Sequence, residues 1–255
     1  MSGLVFALTV IVFWPATRNG FVNWDDPTNI VNNGHVRGLG GRQLAWMFTS
    51  VRHGHYQPLT WLTYAIDHAL WGPEAFGFHA TSILLHAANG GLCCLLIARL
   101  LRLAAPGRAA AAGASAYVAA GLAAAVFAVH PLRVECVAWA TERRDVLSGF
   151  FFLLTLLAYL RAHGPGRGTG AGWLAASFVA YVLALLSKVM VVTLPAVLVV
   201  LDVYPLRRLG PGRWFGRQSR GVWLEKLAFA ALALPFALLA PLAQSQVQSM
   251  PSMAE

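Results

Sequence analysis

Two adjacent carboxylates, Asp25 and Asp26, stand in the stretch Phe21-Val22-Asn23-Trp24-Asp25-Asp26-Pro27, in a chain with only 10 acidic residues among 255. A carboxylate at the edge of an apolar medium is partly desolvated, which raises its pKa toward that of a useful general base. The same residues fit a turn or helix cap in which Asp26 bonds its own backbone. Three cations are placed to face an anion: Arg143 and Arg144 at the end of the run His130 to Asp145, and Lys188 alone between two apolar segments. A guanidinium grips two phosphate oxygens at once. A lysine in that position needs a partner or a task, or snorkels to lipid headgroups. Glu142 and Asp145 beside the arginines offer an internal salt network as the alternative. Trp24, His55, His79, His130, Glu135, Glu142 and Asp145 complete the candidates for a substrate pocket. His53-Gly54-His55 with the aspartates is weak spacing for a metal, so the chemistry requires no cofactor and a divalent metal is unsupported.

The elements that must position these residues are membrane helices. The chain is 58% hydrophobic and 11% charged, with a mean hydropathy of +0.60, which excludes an ordinary soluble domain. Nothing alternates with the period of a membrane barrel, so the fold is all-α and polytopic. The net charge of +9 does not point to nucleic acid, because the arginines fall in short loops and not along one polar face. Seven transmembrane helices are expected, over residues 3–16, 76–101, 109–129, 146–160, 173–186, 189–203 and 222–242. The first has a signal peptide's length, but no small-residue cleavage site follows, so it is read as retained. The third is rich in Ala and Gly, which permits close packing.

A first outer loop (17–74) should carry amphipathic helices over 42–50 and 58–71. The second of these would present Leu59, Leu62, Ile66 and Leu70, with Trp61, Tyr64 and Trp71 as interfacial anchors. A second outer loop covers 130–145. Arg99, Arg102, Arg108, Arg161, Arg167, Arg207, Arg208, Arg213, Arg217 and Arg220 mark the cytoplasmic side, which places the amino terminus inside and the acidic loops outside. His79, His86 and Asn89 form an intramembrane polar stripe, a functional surface or interhelical hydrogen bonding. Cys93, Cys94 and Cys136 are packing residues. The membrane domain then spans 1–243, and 244–255 is a polar, disordered tail.

The order of these motifs resembles a known family. Phe21 to Pro27 is followed by Pro58-Leu59-Thr60-Trp61-Leu62-Thr63-Tyr64, Phe76-Gly77-Phe78-His79 and His130-Pro131-Leu132-Arg133-Val134-Glu135. Val137-Ala138-Trp139, Thr141-Glu142-Arg143-Arg144-Asp145-Val146-Leu147-Ser148 and Ser187-Lys188 come next, with Thr193-Leu194-Pro195 and Leu201-Asp202. This resembles the membrane half of the transmembrane and TPR-repeat proteins, a family similar to the protein O-mannosyltransferases. The resemblance implies a type C glycosyltransferase (GT-C) fold whose first outer loop carries the acidic motif. It also implies a polyprenyl-phosphate sugar donor, a hexose such as mannose as the sugar, and a protein Ser or Thr hydroxyl as acceptor, with inversion. Asp25 and Asp26 take the catalytic position, Asp25 as base, and Lys188, Arg143 and Arg144 face the donor phosphate. The expected location is a bacterial plasma membrane, suggested by the Ala, Gly and Arg bias. The family's TPR region is expected to be absent here, and the alternative is a non-catalytic membrane scaffold or an inactive relative.

Overall fold

The computed structural model describes residues 1–165 and 170–248; Arg167 and the last part of the expected tail lie outside the described residues. The described chain is helical: α1 (Ser2–Phe13), α2 (Gly41–Thr49), α3 (Pro58–Trp71), α4 (Ala75–Ala104), α5 (Pro106–Ala112), α6 (Ala114–Val129), α7 (Val134–Ala138), α8 (Arg143–His163), α9 (Gly170–Ser187), α10 (Leu194–Val203) and α11 (Arg220–Gln248). Short turns of helix extend α1 (Trp14–Arg18) and lead into α10 (Val189–Thr193). No strand occurs among the described residues.

Four helices, α4, α8, α9 and α11, are long and apolar enough to cross a bilayer, and α6 with the segment Pro131–Ala138 makes a fifth if that pair, bent by 54°, is one span. Ser2–Arg18 and Val189–Val203, two of the seven expected crossings, are apolar but shorter. The bend falls at Pro131, and Pro195 opens α10 after a tighter turn; proline withholds a backbone donor and disfavours a straight continuation. Even so, Val189–Val203 is tied near both ends of α8. Lys188 at its start meets Glu142 at 3.3 Å, and Asp202 near its end accepts the Tyr159 hydroxyl at 2.7 Å.

α4 is the central helix, packed by α1, α6 and α8. Close approach rests on small residues. A Cβ on Gly90 would meet Val5 at 3.1 Å and the Ala128 Cβ at 3.2 Å, and Ala120, Ala124 and Ala128 of α6 are fully buried. The polar stripe on α4 glues helices: His86 Nε2 pairs with the Ala128 carbonyl at 2.8 Å, and Asn89 donates to the Val146 carbonyl at 2.8 Å. Leu156, Tyr159, Tyr181, Leu185, Leu194, Leu198 and Phe229 form the core shared by α8 to α11. Leu224, Leu227, Leu234, Leu238 and Leu242 of α11 remain exposed along one side, as expected of a surface that meets acyl chains.

Ionisable side chains hold one end of this bundle. Lys226 meets Asp202 at 2.6 Å, and Arg208 bridges Asp202 at 3.0 Å and Glu225 at 2.9 Å, with His163 on Glu225 at 3.2 Å. This end also carries Arg99, whose guanidinium lies against Pro165, and it is opposite the end that gathers the Asp25-Asp26 loop, residues 130–145 and Lys188.

Two expectations about the loops need correction. On α3 the face turned into the protein is Thr60, Trp61, Tyr64, Ala65 and Asp67, while Ile66 and Leu70 are exposed. Trp61 and Tyr64 are core residues and not surface anchors, because the Tyr64 hydroxyl donates to the Ala140 and Thr141 carbonyls and its ring lies beneath Arg143. At the carboxyl end, α11 continues to Gln248, past the boundary expected at 243.

Candidate active site

Asp26 is completely buried and works as a clamp between the two polar loops. One carboxylate oxygen accepts the Thr141 backbone N–H at 2.9 Å and the Thr141 hydroxyl at 2.5 Å, and the other accepts the Val22 N–H at 2.8 Å. It makes no side-chain cap on its own helical turn; the Val22 bond is the local backbone contact that its spacing allowed, and the two Thr141 bonds add a long-range one. Asp25 differs. It is half-buried, its backbone carbonyl receives Thr28 and Asn29, and among the described residues no hydrogen bond reaches its carboxylate. His55 and Arg144 both lie within electrostatic reach of that carboxylate.

His55 and Arg144 also line a cavity of about 310 Å³, with Gln57, Lys188 and Met190 and an apolar wall of Leu239, Ala240 and Ala243 from α11; Asp25 is not among its lining residues. The tight turn Arg52 to His55, with positive φ at His53 and Gly54, aims His55 inward. Burial, and then the Arg144 charge, lower the His55 ring below its ordinary 6.5, so it is neutral at pH 7.

Arg144 is the cation most free to act. It is 8% exposed, one nitrogen bonds Glu142, and its Nε and Nη1 are buried without a partner. Unpaired guanidinium donors in a low-dielectric wall carry a large desolvation cost, which an incoming anion relieves. Lys188 stands beside it, paired to Asp145 at 2.5 Å and Glu142 at 3.3 Å. Burial works to raise the Glu142 carboxyl, but the bond from Arg144 and the Lys188 charge outweigh it and hold it down at about 2.

The two neighbouring arginines have parted company. Arg143 is fully buried, its guanidinium against Asp67 at 2.5 Å, the Ser82 hydroxyl at 3.2 Å and the Phe78 carbonyl at 2.6 Å. It braces α3, α4 and α8 and does not line the cavity. Successive helical residues point about 100° apart, so a run of two cations at a helix start serves two surfaces.

Of the remaining candidates, Glu142 and Asp145 join the site through Lys188. Trp24 is 74% exposed and His79 is buried in α4. His130 is exposed and accepts the Leu132 N–H at 3.2 Å, and Glu135 is exposed on α7. Among the described residues no three His, Cys, Asp or Glu side chains are grouped to hold a metal. Sequence reasoning missed Thr141 as the partner of Asp26 and Gln57 as a cavity residue. It also missed the buried ion network at the opposite end, although Glu225-Lys226 inside an apolar helix was a visible signal.

No family model and no solved structure matches this chain. It is similar to "Protein O-mannosyl-transferase TMTC4" of Homo sapiens, 31% identical over 216 residues, which covers 78% of this chain and 29% of that protein. It is similar also to "Protein O-mannosyl-transferase TMTC2" of Homo sapiens, 36% identical over 160 residues (62% and 18%), and to "Protein O-mannosyl-transferase Tmtc3" of Drosophila melanogaster, 32% identical over 174 residues (62% and 18%). The chain spans under a third of the length of these relatives.

Proposed function

This chain belongs to the TMTC family of protein O-mannosyl-transferases, and from that premise we propose that it transfers a hexose such as mannose from a polyprenyl-phosphate donor to a protein Ser or Thr hydroxyl. The names of the relatives support a sugar donor and a protein acceptor. The carrying observation is Arg144, nine-tenths buried in the cavity wall with two guanidinium nitrogens unpartnered, beside Lys188 and within reach of the free Asp25 carboxylate.

In this reading the acceptor hydroxyl attacks the anomeric carbon from the face opposite the phosphate. The new C–O bond forms as the bond to the phosphate oxygen breaks, so the configuration inverts. Asp25 takes the hydroxyl proton, and Asp26 holds the Asp25 loop against Thr141. The leaving phosphate gains a negative charge as the bond breaks. Donors aimed at that developing charge lower the barrier more than they tighten binding, and the unpartnered edge of Arg144 with Lys188 fills this role. The polyprenyl chain lies along the apolar wall of α11, in the half of the helix that contains Pro235 and Pro241. The arrangement belongs to a GT-C type membrane domain with about seven crossings, two of them by the shorter apolar segments, with the site extracytoplasmic and the arginine-rich end cytoplasmic.

Membranes carrying the chain, given radiolabelled mannosyl phosphoryl polyprenol and an acceptor protein, are expected to label Ser or Thr residues. Asp25→Asn is expected to lower the rate by about 10²- to 10⁴-fold with the protein still folded. Unchanged transfer by Asp25→Asn would remove the base from this scheme. No transfer by wild type would favour the scaffold alternative. A product with the donor's own anomeric configuration would rule out inversion.

A further inference from the structure

The arginine-rich end holds a second cavity, of about 470 Å³, between α4, α8 and α9. Arg99, Arg102 and Arg161 stand at its polar edge, and Leu95, Leu157 and Trp173 are among the apolar residues that line it. Among the described residues no acidic side chain lines it, and none of the three arginines is in an ion pair. Acids are present at this end of the bundle, but they are committed elsewhere: Asp202 and Glu225 are bound by Arg208 and Lys226. The three guanidinium groups use few of their donors. Arg99 reaches the Pro165 carbonyl at 3.5 Å, Arg102 Nε reaches the Ala98 carbonyl at 3.3 Å, and Arg161 lies over the Trp173 ring at 5.2 Å. Each guanidinium carries five N–H donors in a fork that matches a phosphate.

Below the arginines the groove is apolar and open sideways, with Leu95 48% and Trp173 41% exposed. An aromatic at the rim of an apolar slot marks the level of the headgroups. A soluble anion would meet the arginines and leave the slot empty, and a neutral lipid would fill the slot and leave three cations unanswered. We propose that this groove binds one acidic glycerophospholipid, its phosphate and anionic headgroup on Arg99, Arg102 and Arg161 and an acyl chain between α4, α8 and α9. Such a lipid bridges the three helices that line the groove.

The full chain, purified in neutral detergent, is titrated with phosphatidylglycerol, with phosphatidylcholine of the same acyl chains, and with glycerophosphoglycerol, the headgroup without chains. Retention is read by native mass spectrometry. Phosphatidylglycerol is expected to remain bound one to one, and the other two are not. The triple variant Arg99→Gln, Arg102→Gln, Arg161→Gln should weaken retention about 100-fold, at about fivefold per basic residue. The equally discharged Arg213→Gln, Arg217→Gln, Arg220→Gln should change it less than fivefold. Leu157→Trp, which fills the slot and keeps every charge, should abolish retention while the protein stays monodisperse, so a folding defect in the triple variant leaves the question decidable. Equal retention of phosphatidylcholine, equal loss in the loop variant, competition by the free headgroup, or undiminished retention by Leu157→Trp would each overturn the assignment.

Discussion

Asp25 and Asp26 are neighbours in sequence but should fail in opposite ways when changed. Asp26 accepts three hydrogen bonds while fully buried, two from Thr141 and one from Val22. A hydrogen bond to a charged buried group contributes about 1.5–3 kcal/mol, and an orphaned buried donor costs about 1–3 kcal/mol. Asp26→Ala orphans three donors, and with partial relaxation and water entry the expected loss is about 3–5 kcal/mol. Asp26→Asn keeps an acceptor for Thr141 but turns an amide N–H toward the Val22 N–H, so roughly 1.5–3 kcal/mol is expected. Asp25→Asn and Asp25→Ala remove a carboxylate that takes no hydrogen bond from the described residues, so their cost should stay within about 0.5 kcal/mol. The assay is SDS-induced unfolding of purified protein in mixed micelles, followed by tryptophan fluorescence, with sugar transfer measured on the same samples. Asp26 variants should shift the midpoint in the order Ala beyond Asn, and Asp25 variants should lose transfer with the midpoint unchanged. Equal destabilisation by the two asparagine variants, or none by Asp26→Ala, would refute the division of labour.

The two arginines should separate likewise. Arg144→Gln is expected to lower kcat about 10- to 100-fold, more than it raises the KM for the lipid donor, by loss of one or two charge-assisted bonds to the leaving phosphate, and to cost less stability than the Arg143 variant because Lys188 still pairs with Glu142. Arg143→Gln is expected to destabilise by about 3–5 kcal/mol, since it strands buried Asp67, which the same unfolding titration reads. Glu142 has its carboxyl lowered from 4.5 to about 2. A lowered acid contributes stability that is fully present above 4.5 and disappears as pH falls toward 2, and Glu142→Gln should flatten that part of the stability profile. His55 also has a lowered pKa, so the folded protein prefers it neutral. Stability should fall as pH drops below 6.5, where the unfolded chain binds the proton first, and His55→Gln should remove that slope. At the far end, Lys226→Met should leave Asp202 short of a cation and lower the unfolding midpoint, with Asp202→Asn in the same chain restoring part of the loss.

Long-period features were legible in the sequence. Apolar runs gave α4, α8, α9 and α11 because helix length in a bilayer is set by thickness alone. Glu142, Arg144, Asp145 and Lys188 grouped at one end because successive long helices run back and forth along the bundle. What was not legible depends on rotation about a helix axis. Nothing in Arg143-Arg144 says which guanidinium meets Asp67 and which meets the cavity; the start of α8 and the packing of Phe78 and Tyr64 decide it. The same holds for α3. Its three leucines and Ile66 have the spacing of a buried stripe, but in a membrane protein an apolar stripe faces lipid as readily as protein. The hydroxyl of Tyr64 and the carboxylate of Asp67 instead select the inward face, because both need polar partners that only the protein supplies. The tie between Asp26 and Thr141 links positions 115 apart in the chain, and a side chain as common as threonine gives no warning of it.

Lys188 sits between Glu142 and Asp145, and Arg144 shares Glu142 with it. Two cations therefore face two carboxylates before any ligand arrives. Under the proposed chemistry a phosphodiester with one negative charge becomes a phosphomonoester that carries nearly two. An unbuffered pair of cations would hold the spent carrier more tightly than the fresh one, and turnover would stall on product. The resident carboxylates temper that preference, so the arrangement that keeps the cations in place also lets the lipid depart.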